Sequence, residues 1–366
     1  MTATQQLNIF IDENIPLLKE ALNHCGIITT FKGRDLTKQD LLKGKCTHLF
    51  VRSTTKINSE LLDGTLVRFV GTATAGCDHI DESYLRENNI GFISAPGANA
   101  NSVAEYVVYS MLVWAKSRNE ALSGKTIGII GFGNVGKLVF KYASRFGMKI
   151  LINDPPLLDS GYNFPANCQY ADLDYICRNS DVVTNHVPLE ANPMNYPTYK
   201  LFYSSNLSLL KRNALFLHTS RGGVVDELAL INAYQEKELT LAIDVWENEP
   251  DFNTELAAAA IIATPHVAGY SSNGKIRGSQ AMAAGFDKAT GIMPDYSVYQ
   301  SEKAAYNPLP VDLFSNEEFV LEMLESARRI KSDTAEFKKL IDVGPEERKR
   351  LFDLLRKKYP VRRETL

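Results

Sequence analysis

The chain has 366 residues, 45% of them hydrophobic, and its 43 acidic and 40 basic residues leave a net charge of −3. That length accommodates two or three cores, since single domains usually run to about 100–200 residues. The balanced charge argues against a nucleic acid or a membrane surface as the main partner.

No stretch approaches the roughly 18 apolar residues of a membrane span, and the start MTATQQLN lacks the basic and apolar regions of a secretory signal. The cysteines Cys25, Cys46, Cys77, Cys168 and Cys177 are odd in number and form no C-x-x-C pair. They predict reduced thiols in a cytoplasmic setting and no metal site.

In chain order, the apolar segments LNIFID, GIITTF, HLFVR, LVRFVG and IGFISA alternate with polar helical stretches. That rhythm predicts a parallel sheet flanked by helices. Residues 99–121 then place apolar side chains at helical spacing over several turns and predict a helix joining two domains.

The next segment, TIGIIGFGNVG over residues 126–136, runs an apolar strand into a glycine-spaced turn. Gly131, Gly133 and Gly136 stand at the G-x-G-x-x-G spacing: a tight turn, a close approach of backbone to pyrophosphate, and close strand–helix packing. The amides opening the following helix, at Asn134 and Val135, would face the anion. A second apolar strand, MKILIND, ends in Asp154, roughly 20 residues after the glycines, where a carboxylate accepts ribose hydroxyls. It would repel a 2′-phosphate, and the following Pro155 and Pro156 offer no arginine to neutralise one, so the expected cofactor is NAD.

The segments DVVTNHVPL, ALFLHTSRGG, LTLAIDV and IIATPHVAG extend this unit into a doubly wound sheet. Residues 271–291 read as a helix that returns the chain to the first domain. The stretch YNPLPVDLF leads to a charged helical tail, 317–359, with Phe319, Leu321, Leu324 and Ile330 on one buried face. The basic cluster RKKYPVRRE near the end reads as solvated surface. The expected fold is α/β: two Rossmann-like parallel-sheet domains linked by two helices, plus a small C-terminal domain. The boundaries are residues 1–96 with 267–300 for substrate, 97–266 for NAD, and 301–366 for the tail.

Three polar residues follow apolar strands of the second sheet: Arg221 in TSRGGVVDE, Glu249 in IDVWENEP and His266 in ATPHVAGY. Parallel strands deliver their carboxyl ends to one rim, so the three can converge there. Oxidising a secondary alcohol needs a base for the hydroxyl proton, which suits His266. A carboxylate on the far ring nitrogen, Glu249, would fix the tautomer, and a guanidinium, Arg221, would grip a substrate carboxylate. The blander readings are a turn histidine after Pro265, an Arg221–Asp226 ion pair and a solvated Glu249. Asp244, ending LAIDV, could hold the nicotinamide amide or be a plain strand-end aspartate. His24 and His48 read as structural, while His79, His186 and His218 lack a comparably placed partner.

With these motifs assembled, the chain resembles the NAD-dependent D-2-hydroxyacid dehydrogenases, in which the Arg, Glu and His order recurs with the glycine turn. The likeness spans most of the chain. It is strongest to the branch that oxidises a phosphorylated four-carbon hydroxy acid in pyridoxal phosphate biosynthesis. VRSTTKIN, GTATAGCDHID, SAPGANANSVAEYV, NDPP, PHVAGYSSNGKIRG and YPVRRE carry that part. The resemblance implies that Ser53, Thr74 and Tyr270 contact substrate, that Gly269 approaches NAD, and that the tail makes a homodimer. Val187 stands where that branch usually has a threonine that helps bind NAD, so a side-chain hydrogen bond is lost there. Ala98, Cys77 and His218 also depart from its pattern. Arg52, Lys275 and Arg277 are the cations available for a substrate phosphate. The alternatives are another D-2-hydroxyacid dehydrogenase, specific for D-3-phosphoglycerate or a simple 2-oxoacid, or an NAD-sensing corepressor.

Overall fold

The computed structural model describes residues 7–192, 194–304, 309–360 and 362–366. The chain divides into two compact units, residues 1–99 with 271–307 and residues 100–270 with 308–366. Each unit is built on its own sheet, and among the described residues the paired strands run parallel.

In the first unit, β1 (Asn8–Asp12), β2 (Ile27–Phe31), β3 (His48–Val51), β4 (Phe69–Thr72) and β5 (Gly91–Ile93) form a five-stranded sheet in the order β2-β1-β3-β4-β5. Side chains alternate across a strand. Ile9 and Ile11 of β1 accordingly enter one core with Phe50 and Phe286, and Phe10 enters another with Leu49 and Val51. Helix Ser272–Thr290 packs on this sheet, with Met282, Ala283 and Phe286 in its core.

The second unit holds β6 (Thr126–Ile130), β7 (Lys149–Asn153), β8 (Gln169–Tyr170), β9 (Val182–Asn185), β10 (Leu215–His218), β11 (Thr240–Ile243) and β12 (Ile262–Ala263). Their order is β12-β11-β10-β9-β6-β7-β8. The chain therefore builds outward from β6 in one direction, then reverses to build outward from β9. In open sheets of this kind ligands bind at the carboxyl ends of the strands, beside that reversal. The expected helix over 99–121 is present as Ala100–Ser117, buried along nearly all of its length between the sheet and the C-terminal helices.

The expected helical tail over 317–359 is helical but not continuous. It breaks into Glu317–Arg328, Ile330–Lys338 and Pro345–Lys357. Arg329 adopts a left-handed φ of 54°, which ends the first, and Pro345 opens the third, where its missing N–H costs nothing. Phe319 is 41% exposed and off the buried face, which Val320, Leu321 and Leu324 occupy instead. The basic cluster is not uniformly solvated: Arg362 is buried in a bidentate pair with Asp333 at 2.7 and 2.8 Å. The tail clusters with the second unit through Trp246, Phe252, Phe337 and Phe352, with Phe252 and Phe337 ring centroids 4.5 Å apart.

Candidate active site

The glycine turn leaves the carboxyl end of β6 at the sheet's reversal point. Gly131 sits at φ 87°, a conformation that L side chains rarely adopt, and a Cβ there would lie 2.8 Å from the His186 carbonyl oxygen. A Cβ on Gly136 would lie 2.1 Å from the Gly131 carbonyl oxygen, so the helix Asn134–Arg145 can close on the turn only with glycine. Around Gly133 the opposite holds, because a Cβ would meet nothing within 4 Å. That open face, at the amino end of a helix that begins with Asn134 and Val135, fits an incoming pyrophosphate.

Asp154 ends β7 and accepts the Phe132 amide at 2.7 Å and the Leu157 amide at 3.0 Å. It thus braces the glycine turn and caps the short helix Pro155–Asp159. A carboxylate has about four acceptor positions, so two remain for ribose hydroxyls. Val187 packs against the turn, with its Cγ1 3.0 Å from a Cβ built on Gly131.

His266 follows β12 at φ 57°. Its amide donates to the Asp244 carbonyl at 2.7 Å. The Asp244 side chain grips the same loop, accepting the Val267 amide at 2.8 Å, the Ala268 amide at 2.9 Å and the Thr264 hydroxyl at 2.6 Å. Burial pushes this carboxyl above its ordinary range, against the opposing pull of His266 and these donors. Asp244 is therefore the tie that holds the His266 loop in its left-handed turn. Gly269 and Tyr270 continue the loop, with the Tyr270 amide donating to the Val267 carbonyl at 2.9 Å.

The His266 ring meets Glu249, which follows β11, with Nδ1 at 2.9 Å from Oε2 and 3.1 Å from Oε1. Glu249 is not solvated: its side chain is 19% exposed, and Oε1 also accepts the Trp246 amide at 3.1 Å. Burial raises its carboxyl, but His266, the hydrogen bond to that ring and Arg356 outweigh burial and leave it below the ordinary range. An ionised carboxylate only accepts, so Nδ1 carries the hydrogen and the neutral ring keeps its lone pair on Nε2.

Arg221 follows β10, half-buried, and donates to the Ser220 carbonyl at 2.8 Å. Its loop lies directly against the Glu249 loop, because a Cβ on Gly222 would sit 1.9 Å from the Trp246 carbonyl oxygen. Asp226, the partner that a bland reading gives to Arg221, caps helix Glu227–Lys237 and pairs with Lys200 at 3.1 Å. Arg221, Glu249 and His266 thus all leave the carboxyl ends of neighbouring strands, β10, β11 and β12.

Other groups escaped the sequence reading. Glu227 is buried and accepts the Glu247 amide at 2.8 Å, steadying the Glu249 loop; burial pushes its carboxyl up to about 7. The only local signal was its place after Asp226 at a helix start. His186 and His218 are held neutral, each pushed down to about 3 by burial. His218 meets the Asn185 side-chain oxygen at 3.2 Å.

The first unit holds the remaining candidates. Ser53 is exposed in the turn after β3. Thr74, after β4, lies 2.8 Å from the Thr72 hydroxyl and donates to the Gly76 carbonyl at 3.0 Å. The Thr72 hydroxyl also meets His79 at 2.9 Å. Burial and the neighbouring Arg52 lower the Lys275 ammonium pKa, and Arg277 Nε donates to the Ala98 carbonyl at 2.8 Å.

Residues 104–268 match the family model of the D-isomer specific 2-hydroxyacid dehydrogenase NAD-binding domain. The chain is similar to the erythronate-4-phosphate dehydrogenase of Salinibacter ruber, 38% identical over 98% of this chain and 92% of the relative. It is also similar to that of Proteus mirabilis, 36% identical over 98% and 93%. Among solved structures it is similar to an NAD+-bound 3-phosphoglycerate dehydrogenase of Entamoeba histolytica, with TM-score 0.64 and 26% identity over 78% of this chain and 97% of that one. The Aquifex aeolicus D-lactate dehydrogenase with NAD and lactic acid gives TM-score 0.62 and 25% identity over 80% and 98%. The chain belongs to the erythronate-4-phosphate dehydrogenase family of D-isomer-specific 2-hydroxyacid dehydrogenases and is an NAD-dependent oxidoreductase.

Proposed function

We propose that this chain oxidises the C2 hydroxyl of 4-phospho-D-erythronate to 3-hydroxy-2-oxo-4-phosphooxybutanoate, a step of pyridoxal phosphate biosynthesis. The substrate comes from the shared name of relatives aligned over nearly the whole chain. The observation that carries the chemistry is the His266–Glu249 pair at 2.9 Å, with the imidazole Nε2 left free.

In this reading Arg221 takes the substrate carboxylate in a bidentate grip. His266 Nε2 accepts the hydroxyl proton, and the ionised Glu249 stabilises the imidazolium formed while holding the ring's orientation. NAD, when bound, accepts the hydride from C2. Gly131, Gly133, Asn134, Val135 and Gly136 would hold its pyrophosphate, Asp154 its adenosine ribose and Asp244 its nicotinamide amide, with Val187 and Gly269 also approaching it. Ser53, Thr74 and Tyr270 bind substrate. Arg52 and Lys275 are neighbouring cations of the sort a phosphate dianion neutralises.

The test is NADH absorbance with purified protein, NAD and a panel of phosphorylated and plain hydroxy acids. The expected result is a clear preference for the four-carbon phosphate. Turnover of 3-phosphoglycerate or unphosphorylated acids alone removes the substrate assignment. No turnover, with NAD binding that changes oligomeric state, would favour a regulatory role.

The same reading makes the protein a cytoplasmic homodimer paired through its C-terminal helices. Five free thiols suit a reducing compartment, and the exposed ring of Phe319 offers apolar surface for pairing. Among the described residues no helix is long and apolar enough to cross a membrane. Sedimentation equilibrium is expected to give twice the chain mass; a single-chain mass would remove the dimer.

A further inference from the structure

Helix Pro345–Lys357 ends beside the Glu249 loop, and three contacts bind the two together. Phe352 packs 6.0 Å from the Phe252 ring, Lys349 lies 3.6 Å from Asp251, and Arg356 places a guanidinium nitrogen 3.8 Å from Glu249 Oε2. The Tyr270 phenol, four residues beyond His266, also lies near the Arg356 guanidinium. The Arg356 Nε finds no acceptor among the described residues.

We infer that Arg356 is a positioning residue for the proposed oxidation, seating the Glu249 carboxylate and restraining the basicity of the His266 ring through Glu249. The inference rests on the reading of His266 and Glu249 as the base and its partner. The physical argument is one of shared charge. Glu249 faces two cationic groups, the guanidinium permanently and the imidazolium only after proton transfer. Part of the carboxylate's field is spent on the first, and the guanidinium repels the second across the same oxygen atom. Without Arg356 the carboxylate would act on His266 alone, and the ring would hold its proton to higher pH. A base that stays protonated cannot take the hydroxyl proton, so the acid limb of the rate profile would move with it.

The other titratable groups facing this set are His218 beyond β10, Asp244 at the end of β11, Glu227 on helix Glu227–Lys237 and Tyr359 against Tyr270. Burial pushes His218 down to about 3 and Glu227 up to about 7, so Glu227 changes charge near neutrality. The test therefore compares variants over one pH range, in which the contribution of Glu227 is common to all.

The experiment follows the His266 ring of the full chain by NMR titration, assigned with His266→Asn, in the parent, Arg356→Gln and Arg356→Lys. The expected result is an upward shift of the ring's midpoint on the order of one pH unit in Arg356→Gln, with Arg356→Lys close to the parent. The acid limb of kcat/KM should move by the same amount. An unmoved midpoint in Arg356→Gln, or an equal shift in Arg356→Lys, overturns the inference. Thermal melts report folding. Should Arg356→Gln not fold, Arg356→Met keeps the apolar stem against Phe352 and is read in the same way. A midpoint shift in a protein that turns over no hydroxy acid would sink the functional reading and sustain the charge coupling. Turnover with an unmoved midpoint would do the reverse.

Discussion

Replacing His266 by asparagine is expected to lower kcat by about 10²- to 10⁴-fold, the usual effect of removing a general base. NAD affinity should stay near that of the parent. Asparagine is the informative substitution because position 266 sits at φ 57°. Asn enters the left-handed region more readily than Ala, so the loop can keep its shape. Its amide can still donate to Glu249, and the backbone ties from Asp244 to Val267 and Ala268 are untouched. What disappears is the ring lone pair on Nε2. Steady-state NADH formation measures the first quantity and calorimetric NAD titration the second. A parallel loss of both would mean that His266 supports the cofactor rather than the proton transfer, and undiminished turnover would remove it from the chemistry.

The second large effect separates two glycines of one motif. In Gly136→Ala the new methyl group meets the Gly131 carbonyl oxygen at 2.1 Å, which only a backbone shift relieves. Overpacking of this kind costs about 1–3 kcal/mol. The turn should open, the melting temperature should fall and NAD binding should fail together. In Gly133→Ala the methyl group meets no protein atom within 4 Å, and φ is −79°, on the side open to any L residue. This variant is expected to melt near the parent temperature and still bind NAD poorly, because the methyl group occupies the space left for the pyrophosphate. Melting curves and NAD titrations on both variants check the pair. A Gly133→Ala protein with parental NAD affinity would show that the dinucleotide does not approach this face.

The two glycines show why the cofactor half could be read from the chain. Strand, turn and helix here are consecutive, so spacing and conformational freedom settle the geometry locally; Gly131 is left-handed and Gly136 is packed shut, as the motif requires. The order Arg221, Glu249, His266 was legible for a related reason. Adjacent parallel strands end on one rim whatever their side chains, and β10, β11 and β12 are neighbours in the sheet. The periodicity of residues 99–121 likewise marked a helix whose burial is almost complete.

The supports of that rim were not legible. Asp244 looked like a group for the nicotinamide amide or a plain strand-end residue. In the fold its carboxylate holds three donors of the His266 loop, which no spacing rule announces. Glu227 carried no signal beyond its place at a helix start, and Arg356 lay in a cluster that read as solvated surface. One braces the Glu249 loop and the other faces its carboxylate.

Arg356 and Glu249 lie far apart in the chain, and they meet because Phe337 and Phe352 fill the space beside Trp246 and Phe252. A charged residue's partner across such a distance depends on where a tail breaks and docks. After the break at Arg329, Ile330 and Phe337 of a single helix enter different cores, which periodicity does not announce. Local patterns along the chain thus fixed the nucleotide turn, whose residues are consecutive, and the strand-end trio, because adjacent parallel strands end on one rim. The electrostatic surroundings of the imidazole came from long-range packing, since burial and charge pairing exist only once distant segments are in contact.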